Sequence, residues 1–223
     1  MQQLMQDLRR QAAGVARVLI PAYAALLVLM AVAALFALKT HTPLIHLTRD
    51  PNAIGHLEPF DGVLSNIGII FWCFAASVCL FCSRLLKARA RRASRFLLYS
   101  GVVTTGLMLD DFFQLHEDAF PHYLHLPQLL IYAAYALLLL LYLLWFRADI
   151  LKSDFAILGL ALGLFAFSTL VDLASDRTSL FEHVPGRGLV EDGPKLVAIV
   201  TWFIYFARTA FGYLAAELSR PPR

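Results

Sequence analysis

Six nearly uncharged stretches of about twenty residues recur along the chain, and their length constrains the fold more than any other feature. A helix of about twenty apolar residues crosses a hydrocarbon core of about 30 Å. Backbone groups in that solvent must bond within their own segment, which selects helices at this length, twice that of a barrel strand. The stretches fall at about 18–38, 62–82, 96–115, 128–146, 155–173 and 194–214. The 223 residues are 59% hydrophobic and 16% charged, with a mean hydropathy of +0.66. A soluble globule does not have that composition. The chain therefore reads as a single all-α integral membrane domain, a six-transmembrane-helix bundle.

The first stretch follows Arg9, Arg10 and Arg17. Its apolar run is too long for a secretory signal and has no small-residue cleavage pattern, so it is expected to be an uncleaved span with Pro21 in an early turn. In the second, Asp61, Ser65, Gly68 and Trp72 share one helical stripe, a face suited to packing against other helices. Cys73, Cys79 and Cys82 all lie in this segment and read as small core residues, not as a disulfide framework. The fourth stretch has nothing polar in its middle beyond tyrosine and is expected to be scaffold facing lipid. The fifth carries Gly159 and Gly163 at a spacing that permits close helix approach. The sixth opens with Glu191, Asp192, Pro194 and Lys195, acid and proline together marking a helix start.

Charge sorts along the chain. If six spans place both termini on one side, that side holds fourteen of the nineteen Lys and Arg. Six of the fourteen lie in 83–95, which has no acid. Between two spans such a run reads as a cytoplasmic loop, not a nucleic-acid-binding segment, giving an N-in/C-in topology. Twelve of the sixteen acids and all seven histidines fall on the other side. A bacterial inner membrane, with the acidic ends facing the periplasm or exterior, is the expected setting.

Residues 96–115 contain no charge except Asp110 and Asp111, and His116, Glu117 and Asp118 follow at once. Carboxylates at the end of such a segment are costly unless they meet a cation, a proton or water. On a continuous helix Asp110, Gln114 and Glu117 would share a stripe, and His116 would point about a third of a turn away from Asp110. The topology also brings Asp61, Asp172, Glu191, Asp192 and Lys195 to the same outer level. Four of the six helices would thus deliver ionisable groups to one depth.

These residue types suit a divalent metal, Zn, Mn or Fe, with Asp110, Asp111, His116, Glu117 and Glu191 as candidate ligands. Asp61, Ser65, Asp172 and Lys195 are the candidate catalytic groups, Lys195 stabilising an anionic transition state. A water-activating site at the membrane interface suits hydrolysis of a membrane lipid or lipid-like substrate. No H-E-x-x-H or G-x-S-x-G is present. In Ser65, Asp111 and His116 the chain resembles, by analogy, the ceramidase-type membrane hydrolases, which combine a serine, an aspartate and histidines around zinc. It departs from them in the last helix, which lacks their paired histidines. Two other classes fit the same residues. One is a proton- or cation-coupled transporter, against which the inner halves of the spans offer few polar groups beyond Ser77, the cysteines, Thr104 and Thr105; a homo-oligomer could supply the missing path. The other is a non-catalytic sensor or scaffold with a structural charge network.

Overall fold

The computed structural model describes residues 2–49, 51–58, 60–177 and 187–219. Every regular element among them is helical. Five helices are long and apolar enough to cross a membrane, as a multi-pass membrane protein requires; the apolar part of a further one, Phe155–Val171, is shorter. The chain divides into two compact units, residues 1–61 and 62–223.

The first unit is dominated by α1 (Gln2–Thr40), followed by the short α2 (Ile45–Thr48) and α3 (Pro51–Gly55). Helix α1 starts well before the apolar run because Gln, Leu, Met, Arg and Ala are strong helix formers. Pro21 is consequently inside the helix and not in an early turn. There it removes one backbone donor. Asp61 ends this unit in a turn, its carboxylate accepting the Glu58 N–H at 3.0 Å.

The second unit contains α4 (Val63–Leu86), α5 (Arg91–Phe113), a π-helical turn (Leu115–Ala119), α6 (Phe120–Leu124), α7 (Gln128–Trp145), α8 (Arg147–Ile150), α9 (Phe155–Arg177) and α10 (Arg187–Leu218). Helix α4 packs on α5 and α10, and α10 packs on α9. The core is built from Trp72, Cys79, Phe96, Leu97, Trp202, Tyr205 and Phe206, with Ala75, Ala161, Ala198 and Ala210 letting the backbones approach. Cys79 and Cys82 are buried free thiols, as expected, whereas Cys73 is exposed.

The close approach uses Gly68 on the expected stripe, where a Cβ would lie 3.1 Å from the Ile199 side chain, and also Gly101, but not Gly159 or Gly163. A Cβ on Gly101 would lie 2.7 Å from Leu80 and 3.2 Å from the Cys79 Cβ, so the α4–α5 contact requires glycine there. Gly159 and Gly163 are exposed, with open space where a Cβ would go. Beside Gly101 the same contact is tied by two reciprocal bonds: Ser83 Oγ donates to the Ser94 carbonyl at 2.8 Å and Ser94 Oγ to the Ser83 carbonyl at 2.9 Å.

Helix α7 reaches the bundle through long side chains. Tyr142 bonds Ser100 hydroxyl to hydroxyl at 2.6 Å and stacks on Phe96. This stand-off leaves room between α7 and its neighbours.

Candidate functional site

The site forms where α5 breaks. Helix α5 stops at Phe113, and Gln114 takes a left-handed conformation with φ of 50°. A non-glycine residue there costs about 1–2 kcal/mol, and the surrounding contacts must hold it. Asp110 supplies them. One carboxylate oxygen accepts the His116 backbone N–H at 3.1 Å, and the other meets His116 Nδ1 at 2.6 Å. The break therefore folds His116 back onto Asp110, in place of the outward direction of a continuous helix. Asp110, Gln114 and Glu117 do not form a stripe, for the same reason.

Tyr135 of α7 donates to Asp110 at 2.6 Å. On the far side of the imidazole, Nε2 lies 3.2 Å from Glu117. Glu117 is in turn 3.9 Å from Lys195 Nζ, and Lys195 lies 2.5 Å from Asp111. Asp111 also accepts the Trp72 indole N–H at 3.3 Å. The result is one chain of groups, Tyr135, Asp110, His116, Glu117, Lys195, Asp111 and Trp72, drawn from four helices and the π-helical turn.

Burial sets the electrostatics. His116 retains only 12% side-chain exposure, which by itself pushes its pKa down. Hydrogen bonds and charges from Asp110 and Glu117 outweigh that and hold it up, to about 9. The Glu117 carboxyl is pulled below its ordinary value, first by its bond to His116, against a smaller opposing effect of burial, and then by Lys195. These effects favour the protonated imidazole between Asp110 and Glu117 at neutral pH.

This network closes one end of a cavity of about 490 Å³. Its walls are Trp72, Leu107, Tyr132, Leu139, Leu162, Phe165 and Trp202, and Ser168 and Thr169 add hydroxyls. Ala136, Ala166 and Leu170 also line it and are exposed, so it opens sideways between α7 and α9. A large apolar space with a few convergent polar groups is the usual form of a ligand site.

The structure thus brings together Asp110, Asp111, His116, Glu117 and Lys195. Ser65, exposed near the start of α4, lines a crevice of about 20 Å³ with Asp111, Asp192 and Lys195. Asp61 does not share the stripe of Ser65, because α4 begins only at Val63, after Gly62 in a left-handed conformation. Asp172 and Glu191 lie on α9 and α10, and their side chains fall outside the described residues. Among the described residues no three His, Cys, Asp or Glu side chains are arranged to hold a metal ion. Pro194 sits inside α10, not at its start, one residue before Lys195.

Sequence reasoning missed the aromatic contribution. Tyr132, Tyr135, Leu139 and Tyr142 follow a spacing of three, four and three, one face of a helix. That pattern was the available sign that α7 points polar tips inward.

A family model described as a domain of unknown function (DUF8692) matches residues 21–209. The chain belongs to this family. The matched region contains every member of the network from Trp72 to Lys195. No curated protein and no solved structure matches the chain.

Proposed function

We propose that this protein is a membrane-embedded, hydrolase-type enzyme that takes a lipid or lipid-like substrate into the lateral cavity and acts on its polar head by acid–base chemistry. The observation carrying this reading is that Asp110, Asp111, His116 and Lys195 form the polar end of an apolar cavity open between two lipid-facing helices, with Glu117 beside His116 Nε2 at 3.2 Å. Asp110 fixes the imidazole so that Nε2 faces Glu117. The head occupies the space near Nε2. Glu117 takes a proton from water as the water oxygen attacks an acyl carbon. The leaving group departs with the His116 proton, and direct transfer from Glu117 to His116 restores both groups. Lys195 stabilises the developing oxyanion.

Metal-assisted hydrolysis is a variant in which Asp110, Asp111, His116, Glu117 and Glu191 would hold Zn, Mn or Fe, and the ion would supply an activated water. Elemental analysis of the purified protein beside Asp111→Asn separates the two. The topology of this reading has six spans, α9 included, with both termini cytoplasmic in a bacterial inner membrane and the cavity on the periplasmic side. The distribution of basic residues supports it.

The test uses proteoliposomes offered phospholipids and amide-linked lipids, with released head groups and fatty acids measured. Wild type should release one of them, and Asp110→Asn and His116→Gln should each lower the rate at least a hundredfold. Equal rates in all three proteins would remove the acid–base reading. Leu139→Trp, which fills the cavity, should raise the substrate concentration needed without changing the network.

A second reading, proton coupling, has an observation of its own. Below Asp110 hydroxyls recur through the bundle: buried Thr104 accepts the Trp202 indole N–H at 3.1 Å, buried Ser100 bonds Tyr142, and half-buried Ser153 bonds Tyr205 at 2.8 Å. Proton flux in empty proteoliposomes, abolished by Asp110→Asn, would favour it over hydrolysis.

A further inference from the structure

At the other end of α4 and α5, away from the ionised network, lies an open pocket of about 1120 Å³. Each helix lines it with one face. Leu80, Arg84 and Lys87 stand at i, i+4 and i+7 on α4 and its C-terminal cap; Leu98, Arg95 and Arg91 stand at i, i−3 and i−7 on α5. From both sides the order is the same, a leucine at the depth of the apolar segment and then two cations toward its end. The floor between them is the rigid crossing made by Gly101 against Leu80 and by the reciprocal Ser83 and Ser94 bonds.

Arg92, one position from Arg91, binds Asp149 at 2.7 Å, and Arg208 binds Asp154 at 2.7 Å. Among the described residues Arg84, Lys87, Arg91 and Arg95 meet no carboxylate. Topology requires basic residues in such a loop, but it does not require four of them to converge on one pocket whose lining contains no carboxylate.

We infer that this pocket is a binding site for an anionic phospholipid, the headgroup phosphates held by Arg84, Lys87, Arg91 and Arg95 and the acyl chains laid along Leu80 and Leu98. Guanidinium groups grip phosphate oxygens in pairs, and a basic pocket at the membrane boundary attracts anionic lipid. Two pairs of cations suit a lipid with two phosphates better than a lipid with one. A free phosphate would meet the same cations but leave the leucines unused. The inference is independent of the enzyme reading, since no residue is shared.

Native mass spectrometry of the full-length detergent-solubilised protein tests it, with cardiolipin, phosphatidylglycerol and phosphatidylcholine of matched chains added in turn. Wild type should prefer phosphatidylglycerol to phosphatidylcholine at least tenfold and cardiolipin more strongly still. Arg84→Gln with Arg95→Gln should weaken anionic-lipid binding about twenty-five-fold, at about fivefold per cation near the surface. Arg84→Lys with Arg95→Lys should lose much less. Arg9→Gln with Arg10→Gln should stay within twofold of wild type. Equal binding of phosphatidylglycerol and phosphatidylcholine by wild type overturns the inference without any variant needing to fold. So does a loss in the Arg9 and Arg10 variant as large as that in the pocket variant. Displacement by pyrophosphate at concentrations matching the lipid would show a site for free anions instead.

Discussion

Asp110 binds His116 twice, once through the backbone N–H and once through the ring, and so ties together the two sides of a helix break. The same bond that closes the chain at Gln114 sets the orientation and the charge of the imidazole. Fold and candidate chemistry share one carboxylate, and changes at Asp110 should register in both.

Asp110→Asn should lower stability by about 2–4 kcal/mol, since a buried, charge-assisted group with three donors is lost. Tyr135→Phe removes one of those donors and should cost about 1 kcal/mol. Chemical unfolding in detergent, followed by tryptophan fluorescence, gives both values. An Asp110→Asn protein as stable as wild type would mean that the break at Gln114 is held by something else.

Stability should fall with rising pH above neutrality. The His116 pKa is raised on folding to about 9. Its contribution is therefore complete below the unfolded value of about 6.5 and fades as pH climbs through 9, by up to about 3 kcal/mol. Glu117 behaves oppositely, since its pKa is lowered and its contribution disappears in acid. Thermal midpoints from pH 5 to 10 should thus decline on the alkaline side in wild type and stay nearly level in His116→Gln.

Gly101→Ala should destabilise by about 1–3 kcal/mol, because the new methyl meets Leu80 and Cys79 in a contact that has no spare volume. Gly159→Ala and Gly163→Ala, facing open space, should be neutral or stabilising by up to about 1 kcal/mol from helix propensity alone. Parallel thermal melts of the three variants decide it.

The helices were legible in the sequence because bilayer thickness fixes their length: five are long and apolar enough to cross a membrane, and the apolar part of α9 is shorter. The pairing of Asp111 with Lys195 was legible as one of the expected contacts, a cation beside a carboxylate at the end of an apolar segment. The break at Gln114 was not: Phe-Phe-Gln-Leu contains neither glycine nor proline, and the bonds that hold it come partly from α7, twenty-five residues beyond Asp110. Tyr135 read as scaffold because its ring is apolar and only its tip is not. Gly159 and Gly163 have the packing spacing and Gly101 does not, yet which helix face meets a neighbour is decided by the whole bundle. Pro21 and Pro194 looked like helix starts because the polar residues before them were counted as loop.

Lys195 and Asp111 should be energetically coupled, and the coupling distinguishes a network from a set of separate contacts. Removing Lys195 leaves Asp111, which has 9% side-chain exposure, without its close cation and with the neutral Trp72 indole N–H still donating to it. Removing Asp111 leaves an ammonium at 29% exposure that still has Glu117 at 3.9 Å. The first loss should therefore be the larger, about 3 kcal/mol for Lys195→Met against about 2 kcal/mol for Asp111→Asn. In the double variant no uncompensated carboxylate remains at position 111, so its cost should fall short of the sum by about 1–3 kcal/mol. A double-mutant cycle measured by chemical unfolding gives that difference directly. Strict additivity would show that the 2.5 Å contact contributes nothing to the folded state, and would detach Lys195 from the chain of groups that leads to His116.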